Sequence, residues 1–272
     1  MYNFVYVKPD SLAQAAEFLR LHPDARPLSG GMTLLPAMKQ KMAAPSHLVD
    51  LGRLPELRGI RHDGDALVIG AATTHAEVAG SALVGAGIPA LCQLAGLIAD
   101  PQVRNRGTIG GSVANNDPAA DYPAAVLALG ATVVTSVRRI AADDFFVGMF
   151  ETALEPGEIV TALSFPLPDR AAYAKYRHAA SGYAVAGVFV AQAKATVRVA
   201  VTGAGPGVFR WHEAEQALQQ GCSVDALQGL HIGPESMLDD AQTPASWRAN
   251  LVQVMTRRAV AGLQVQQIKG SQ

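Results

Sequence analysis

The 272-residue chain reads as an α+β protein. Three observations carry that reading. Strand-like and helix-like stretches alternate irregularly, without the repeat of a doubly wound sheet. Apolar residues make up 49% of the chain and charged ones 17%, which is enough apolar material for a sizeable core. The proline-punctuated stretch FPLPDR at 165–170 stops one such mixture before another begins, so a domain boundary is expected there. A first domain would end at about residue 168, and a second would span 169–272.

Each element has a local signal. SLAQAAEFLRLHP offers Ser11 as an N-cap and apolar residues at Leu12, Ala15, Ala16, Phe18 and Leu19, which predicts an amphipathic helix. ARPLSGG reads as a short strand entering a glycine turn. HLVDLGRL and ALVIGAATT are strand-like. In TTHAEVAGS, Thr74 and Glu77 stand at capping-box spacing, so a helix starts there and His75 is a helix-start residue rather than a ligand. The most apolar window, residues 82–99, contains Gly85, Gly87, Pro89, Gln93 and Gly96. It reads as helix-turn-helix material inside a domain, not a membrane span.

YPAAVLALGATVVTS predicts a helix ending at Gly130 and passing into a strand, and EIVTALSFPLP alternates as a strand. Beyond the boundary, YAVAGVFVAQAKATVRVAVTGAG suggests two strands of a hairpin. FRWHEAEQALQQ and ASWRANLVQVMTRRAVAGLQVQQI read as helices. TGAGPGVFR has the wrong spacing for a nucleotide loop and no Lys-Ser/Thr, so it is a turn after a strand.

Composition excludes several classes. A net charge of −1 leaves no footprint for nucleic acid or an anionic membrane. The low charged fraction suggests that another protein covers part of the exterior. Two cysteines, Cys92 and Cys222, supply neither a disulfide framework nor a four-cysteine cluster site. The N-terminal MYNFVYVKPDS lacks the features of a secretory signal, so a cytoplasmic location is expected. The seven histidines are scattered without metal spacing.

Two stretches carry the chemistry: PLSGGMTLLPAMKQKM (27–42) and TIGGSVANNDPAADYPAA (108–125). A glycine pair is costly to order, and a backbone without Cβ can approach a phosphate and aim N–H donors at it. Gly30 and Gly31 would donate with the Thr33 hydroxyl beside them, and Gly110 and Gly111 with Thr108 and Ser112. Two such sites are best explained by one diphosphate held from both sides. Asp121 can accept from a ribose or can cap the helix beginning near Pro123, and its chemistry leaves both open. Neither stretch matches the Rossmann or Walker A pattern.

At this point the residues become specific. SGGMTLLPAMKQKMAAPSHLVDLGRLPELRGI and ADPQVRNRGTIGGSVANNDPAADYPAAVLALGA resemble two signatures of the FAD-binding (medium) subunit of molybdenum hydroxylases, the carbon monoxide dehydrogenase, xanthine dehydrogenase and aldehyde oxidase superfamily. DDFFVGMFETALEPGEIVTALSFPLP and KYRHAASGYAVAGVFVA resemble later family segments in the same order. The resemblance implies a bipartite FAD-binding domain of the vanillyl-alcohol-oxidase type, with parts of about 1–55 and 56–168, and a smaller C-terminal α+β domain. It also implies that Ser29, Gly30, Gly31, Met32, Thr33 and Leu34 wrap the FAD diphosphate together with Thr108, Ile109, Gly110, Gly111 and Ser112. Asp121 would meet a ribose or adenosine. Ile98 and Tyr183 would lie near the isoalloxazine, Ile159 and Val160 would supply a backbone contact, and Lys175 would be a basic residue close by.

There are departures from the family pattern. Met32 and Thr33 stand where many relatives have a polar residue and Ser, and Ser112 replaces a frequent Asn. The connections after ATVVTS and within AQAKATVRVAV are short, which bears on docking to partner subunits. The resemblance implies an oxidoreductase component without catalytic residues or a metal of its own. A large molybdenum-cofactor subunit would oxidise the substrate, 2Fe-2S clusters on a small subunit would relay electrons, and FAD here would pass them to an external acceptor. The expected assembly is a dimer of heterotrimers. Two rivals remain open: a stand-alone flavin reductase resembling UDP-N-acetylenolpyruvoylglucosamine reductases, and a flavin-free binding module.

Overall fold

The structure is a computed structural model and describes residues 1–270, with side chains to residue 264. Its first unit runs β1 (Val5–Val7), α1 (Leu12–Leu21), β2 (Arg26–Leu28), α2 (Leu34–Lys39) and β3 (His47–Asp50). These strands form a parallel sheet in the order β1-β3-β2. Ser11 caps α1 by accepting the Gln14 N–H at 3.2 Å. The helix then buries Ala15 and Leu19 against Val49, Leu51 and Leu54. This small strand–helix–strand repeat was not foreseen, because a three-residue, exposed β1 shows no period in sequence.

The second unit opens with the hairpin β4 (Ile60–Asp63) and β5 (Ala66–Gly70). Helices α3 (His75–Gly80), α4 (Ala82–Gly87), α5 (Pro89–Gly96), α6 (Pro101–Arg104), α7 (Ile109–Asn115) and α8 (Tyr122–Ala128) follow. It closes with β6 (Thr132–Thr135), β7 (Arg139–Ala141), α9 (Ala142–Phe145), a small hairpin of β8 (Phe146–Gly148) and β9 (Glu151–Thr152), and β10 (Val160–Pro166). The sheet is antiparallel in the order β4-β5-β10-β6-β7. Because β10 lies in its middle, Leu163, Ser164 and Phe165 are buried in succession instead of alternating. All seven residues of α8 are buried. The helix stops as its sequence predicts: Gly130 takes φ +59°, its N–H donates to the Leu127 carbonyl, and the Ala131 N–H donates to that of Val126.

The third unit is an antiparallel sheet of β11 (Arg170–Arg177), β12 (Ala184–Ala193), β13 (Thr196–Thr202) and β14 (Phe209–Arg210), followed by α10 (His212–Gln220) and α11 (Ala245–Gly270). Phe209 and Arg210 pair with β13 rather than opening the helix that the sequence suggests. The two faces of this sheet pack into different cores. Ala171, Tyr173, Phe189, Ala191 and Ala200 join the core of the second unit. Ala172, Val188, Val190, Val199 and Val201 pack with residues of α10 and α11. Thr202 and Gly203 fasten the sheet to the chain before Asp121, donating to the Pro118 and Ala120 carbonyls. Among the described residues no helix is long and apolar enough to cross a membrane.

Candidate cofactor cleft

A cavity of about 680 Å³ opens where the three units meet. That is the size of a small-molecule site. The turn between β2 and α2 gives Ser29, Gly30, Gly31, Met32, Thr33 and Leu34 to its wall, and the start of α7 gives Thr108, Gly110, Gly111 and Ser112. Ile98, Asp121, Ile159, Val160 and Tyr183 complete the set of sequence-predicted residues that line it. Ile109 and Lys175 do not. Ile109 is fully buried in the core and gives its N–H to the Thr73 carbonyl.

The two glycine loops touch. Ser29 Oγ and Thr108 Oγ1 lie 3.0 Å apart. A Cβ on Gly30 would overlap the Arg106 carbonyl, so glycine there lets one loop lie directly on the other. Gly110 likewise sits against Ala71, where a Cβ has no room. Gly31 holds φ +71°, a conformation that L side chains resist. Gly111 is the least confined of the four, and its Cβ would meet only Thr108 Oγ1 at 2.9 Å.

The hydrogen bonds separate the loops further. The N–H groups of Gly30, Gly31, Met32 and Thr33 have no acceptor among the described residues. Those of Gly110, Gly111 and Ser112 are already engaged by the Ala71 carbonyl at 2.9 Å, Thr108 Oγ1 at 3.2 Å and the Thr108 carbonyl at 3.0 Å. Free donors therefore come from the first loop, and hydroxyls from both.

Asp121 directly precedes α8, but its side chain makes no capping bond, which removes the capping alternative. Its buried carboxylate accepts from the Tyr173 hydroxyl and from Lys175 Nζ at 2.9 Å. Burial pushes its pKa up, opposed first by the Lys175 ammonium and then by the Tyr173 hydroxyl. Lys175 also reaches the Leu97 carbonyl at 3.4 Å. Ile159 has its backbone occupied by Ser136, donating to Oγ at 3.2 Å and accepting the amide at 2.8 Å. Tyr183 is 43% exposed at the rim, and partial burial beside Asp117 and Asp121 raises its pKa.

Several wall residues carried no functional signal in sequence. His75 begins α3 behind the predicted capping box, with the Thr74 N–H on Glu77 at 2.7 Å and the Glu77 N–H on Thr74 at 3.2 Å. Nothing local showed that its ring would line the cleft. Burial, with Arg104 nearby, lowers its pKa from 6.5 to about 4, so the imidazole is neutral, and Nδ1 has no partner. Glu158 also faces the cleft. Burial raises its pKa, but bonds from Arg138 and Thr135 outweigh this and bring it to about 2. Among the described residues no cluster of His, Cys, Asp or Glu is placed to hold a metal ion.

Four free successive amides, flanking hydroxyls, a carboxylate and apolar walls at Ile98, Leu154 and Val160 fit a dinucleotide carrying a planar ring. Residues 2–168 match the family described as the FAD binding domain in molybdopterin dehydrogenase. The chain is 38% identical to the carbon monoxide dehydrogenase medium chain of Afipia carboxidovorans, covering 95% of this chain and 96% of that one. It is 34% identical to the nicotine 6-hydroxylase medium subunit of Paenarthrobacter nicotinovorans, over 94% and 95%. Reconstituted CO dehydrogenase from Oligotropha carboxidovorans contains a chain that superposes with a TM-score of 0.87 at 35% identity, covering 97% of this chain and 98% of that one.

Proposed function

The chain belongs to the FAD-binding subunits of the molybdopterin dehydrogenases, an oxidoreductase family, and from that premise we propose that it is the electron-transfer flavoprotein of a three-subunit enzyme. FAD, when bound, supplies the redox chemistry, taking electrons from 2Fe-2S clusters of a small partner subunit and releasing them to an external acceptor. A large partner subunit with the molybdenum cofactor oxidises the organic substrate, and two such trimers pair. The relatives' names span carbon monoxide and nicotine although the chains align almost end to end, which suits a subunit that never meets the substrate.

This chain's own residues bind and orient. The amides of Gly30, Gly31, Met32 and Thr33 donate to the diphosphate, with the Thr33, Thr108 and Ser112 hydroxyls around it. Asp121 accepts from a ribose hydroxyl. Ile98, Val160 and Tyr183 bound the ring end, and Ile159 keeps the first strand residue of β10 in place through Ser136. The observation that carries the reading is the run of four successive unpaired amides in the cleft wall, since consecutive N–H donors on a bare glycine backbone make an anion-binding concavity.

The test is the visible spectrum of the purified full-length chain before and after addition of FAD. A flavin spectrum, with FAD released on denaturation, is the expected result. A folded chain that stays colourless with excess FAD overturns the proposal.

A further inference from the structure

We propose that Lys175 and Tyr173 act on the bound cofactor only through Asp121, as positioning residues that hold its carboxylate as a charged acceptor at the cleft wall. The proposal rests on the cleft being the FAD site. Asp121 lines the main cleft, and Lys175 and Tyr173 do not. Both of these instead line a second hollow with Gln93, Met255 and Arg258, which Asp121 does not reach. Their link to the cleft wall therefore runs through the Asp121 carboxylate.

The geometry leaves little freedom. The Lys175 side chain is 2% exposed, with Nζ held between Asp121 at 2.9 Å and the Leu97 carbonyl at 3.4 Å. Lys175 Nζ lies 2.9 Å from both Asp121 oxygens, and one of them, Oδ1, also takes the Tyr173 hydroxyl. A carboxylate offers about four lone-pair positions, so acceptor capacity remains for a ligand hydroxyl. Tyr173 and Lys175 are two apart on β11 and so share the face turned towards Asp121. Across the sheet, Lys175 is paired with Gly187, where a Cβ would overlap the Tyr173 hydroxyl oxygen. The glycine thus leaves room for the phenol to cross β12 and reach the carboxylate.

The chemistry supplies the reason for the arrangement. A carboxylate buried alone is heavily penalised and takes up a proton, which turns an acceptor into a donor. The facing groups that oppose this are the Lys175 ammonium, the Tyr173 hydroxyl and, more distantly, the Arg177 guanidinium. A ribose hydroxyl then meets a fixed anion.

The experiment is a double-mutant cycle on FAD affinity, measured by flavin fluorescence quenching in the full-length chain. Lys175→Met is expected to weaken FAD about tenfold, the scale of one charge-assisted bond, with Asp121→Asn similar and Tyr173→Phe smaller. Asp121→Asn/Lys175→Met is expected to bind no worse than Asp121→Asn alone, because Lys175 has no contact with FAD to lose. Losses that multiply in the double variant, or a Lys175→Met chain that binds normally, overturn the proposal and leave the FAD reading intact. A folded wild-type chain that binds no FAD overturns both. Should Lys175→Met fail to fold, the same cycle with the near-isosteric Tyr173→Phe decides by the same criterion.

Discussion

The two glycine pairs look alike in sequence and do different work in the structure. In the first, Gly30 lets its loop lie on residues 106–107, Gly31 turns the chain through φ +71°, and the amides are left free. In the second, Gly110 is wedged against Ala71 and its amide, like those of Gly111 and Ser112, is already bonded inside the protein. One pair presents donors and the other builds the floor beneath them. A glycine pair therefore identifies close approach but does not say what approaches.

That contrast breaks most easily at Gly110. A valine there has to displace the Ala71 backbone, so Gly110→Val should lower unfolding free energy by about 3 kcal/mol, the upper end for overpacking, in urea titration. Gly111→Val crowds only Thr108 Oγ1, the cap of α7, so it should cost about 1 kcal/mol, well below Gly110→Val, while losing FAD. Equal destabilisation by the two would erase the distinction.

His75 tests the floor by pH. Its N–H bonds the Gly107 carbonyl at 2.9 Å and its ring packs on Gly107. Folding depresses its pKa from 6.5 to about 4, so below pH 6.5 the unfolded chain binds the extra proton and the folded chain does not. The contribution is complete above pH 6.5 and is lost as pH falls towards 4, by about 3 kcal/mol in all. His75→Gln should flatten that part of the stability profile in urea titrations between pH 7 and pH 4. An unchanged slope would refute a buried neutral imidazole.

The first pair gives a smaller effect than Gly110 or His75. Gly31→Ala should cost about 1–2 kcal/mol from left-handed strain, and Gly31→Asn should not recover it, because any Cβ there also presses on Leu35 and Leu28. Both should bind FAD more weakly than their stability loss explains, since they re-aim free amides. A Gly31→Ala chain with full FAD affinity would mean that the amides are not what holds the cofactor.

Much of this was legible in sequence because it is local. Ser11, the Thr74–Glu77 box and Gly130 announce helix ends through bonds made within a few residues. The hairpin of β12 and β13 follows from its apolar run. What escaped was set at long range: β1 and β14 are strands because a neighbour pairs with them. His75 and Glu158 face the cleft because distant segments close around them.

Sequence by itself determined the helix ends at Ser11, Thr74 and Gly130, the glycine pairs where the backbone needs a close approach, and membership of a flavin-binding family, because these depend on backbone conformation and residue order. Only the tertiary structure decided which amides stay unpaired and that Lys175 meets Asp121 rather than lining the cleft. Those outcomes depend on sheet register and on partners up to 54 residues apart, and a hydrogen bond or buried charge pair exists only where the fold brings both ends within about 3 Å.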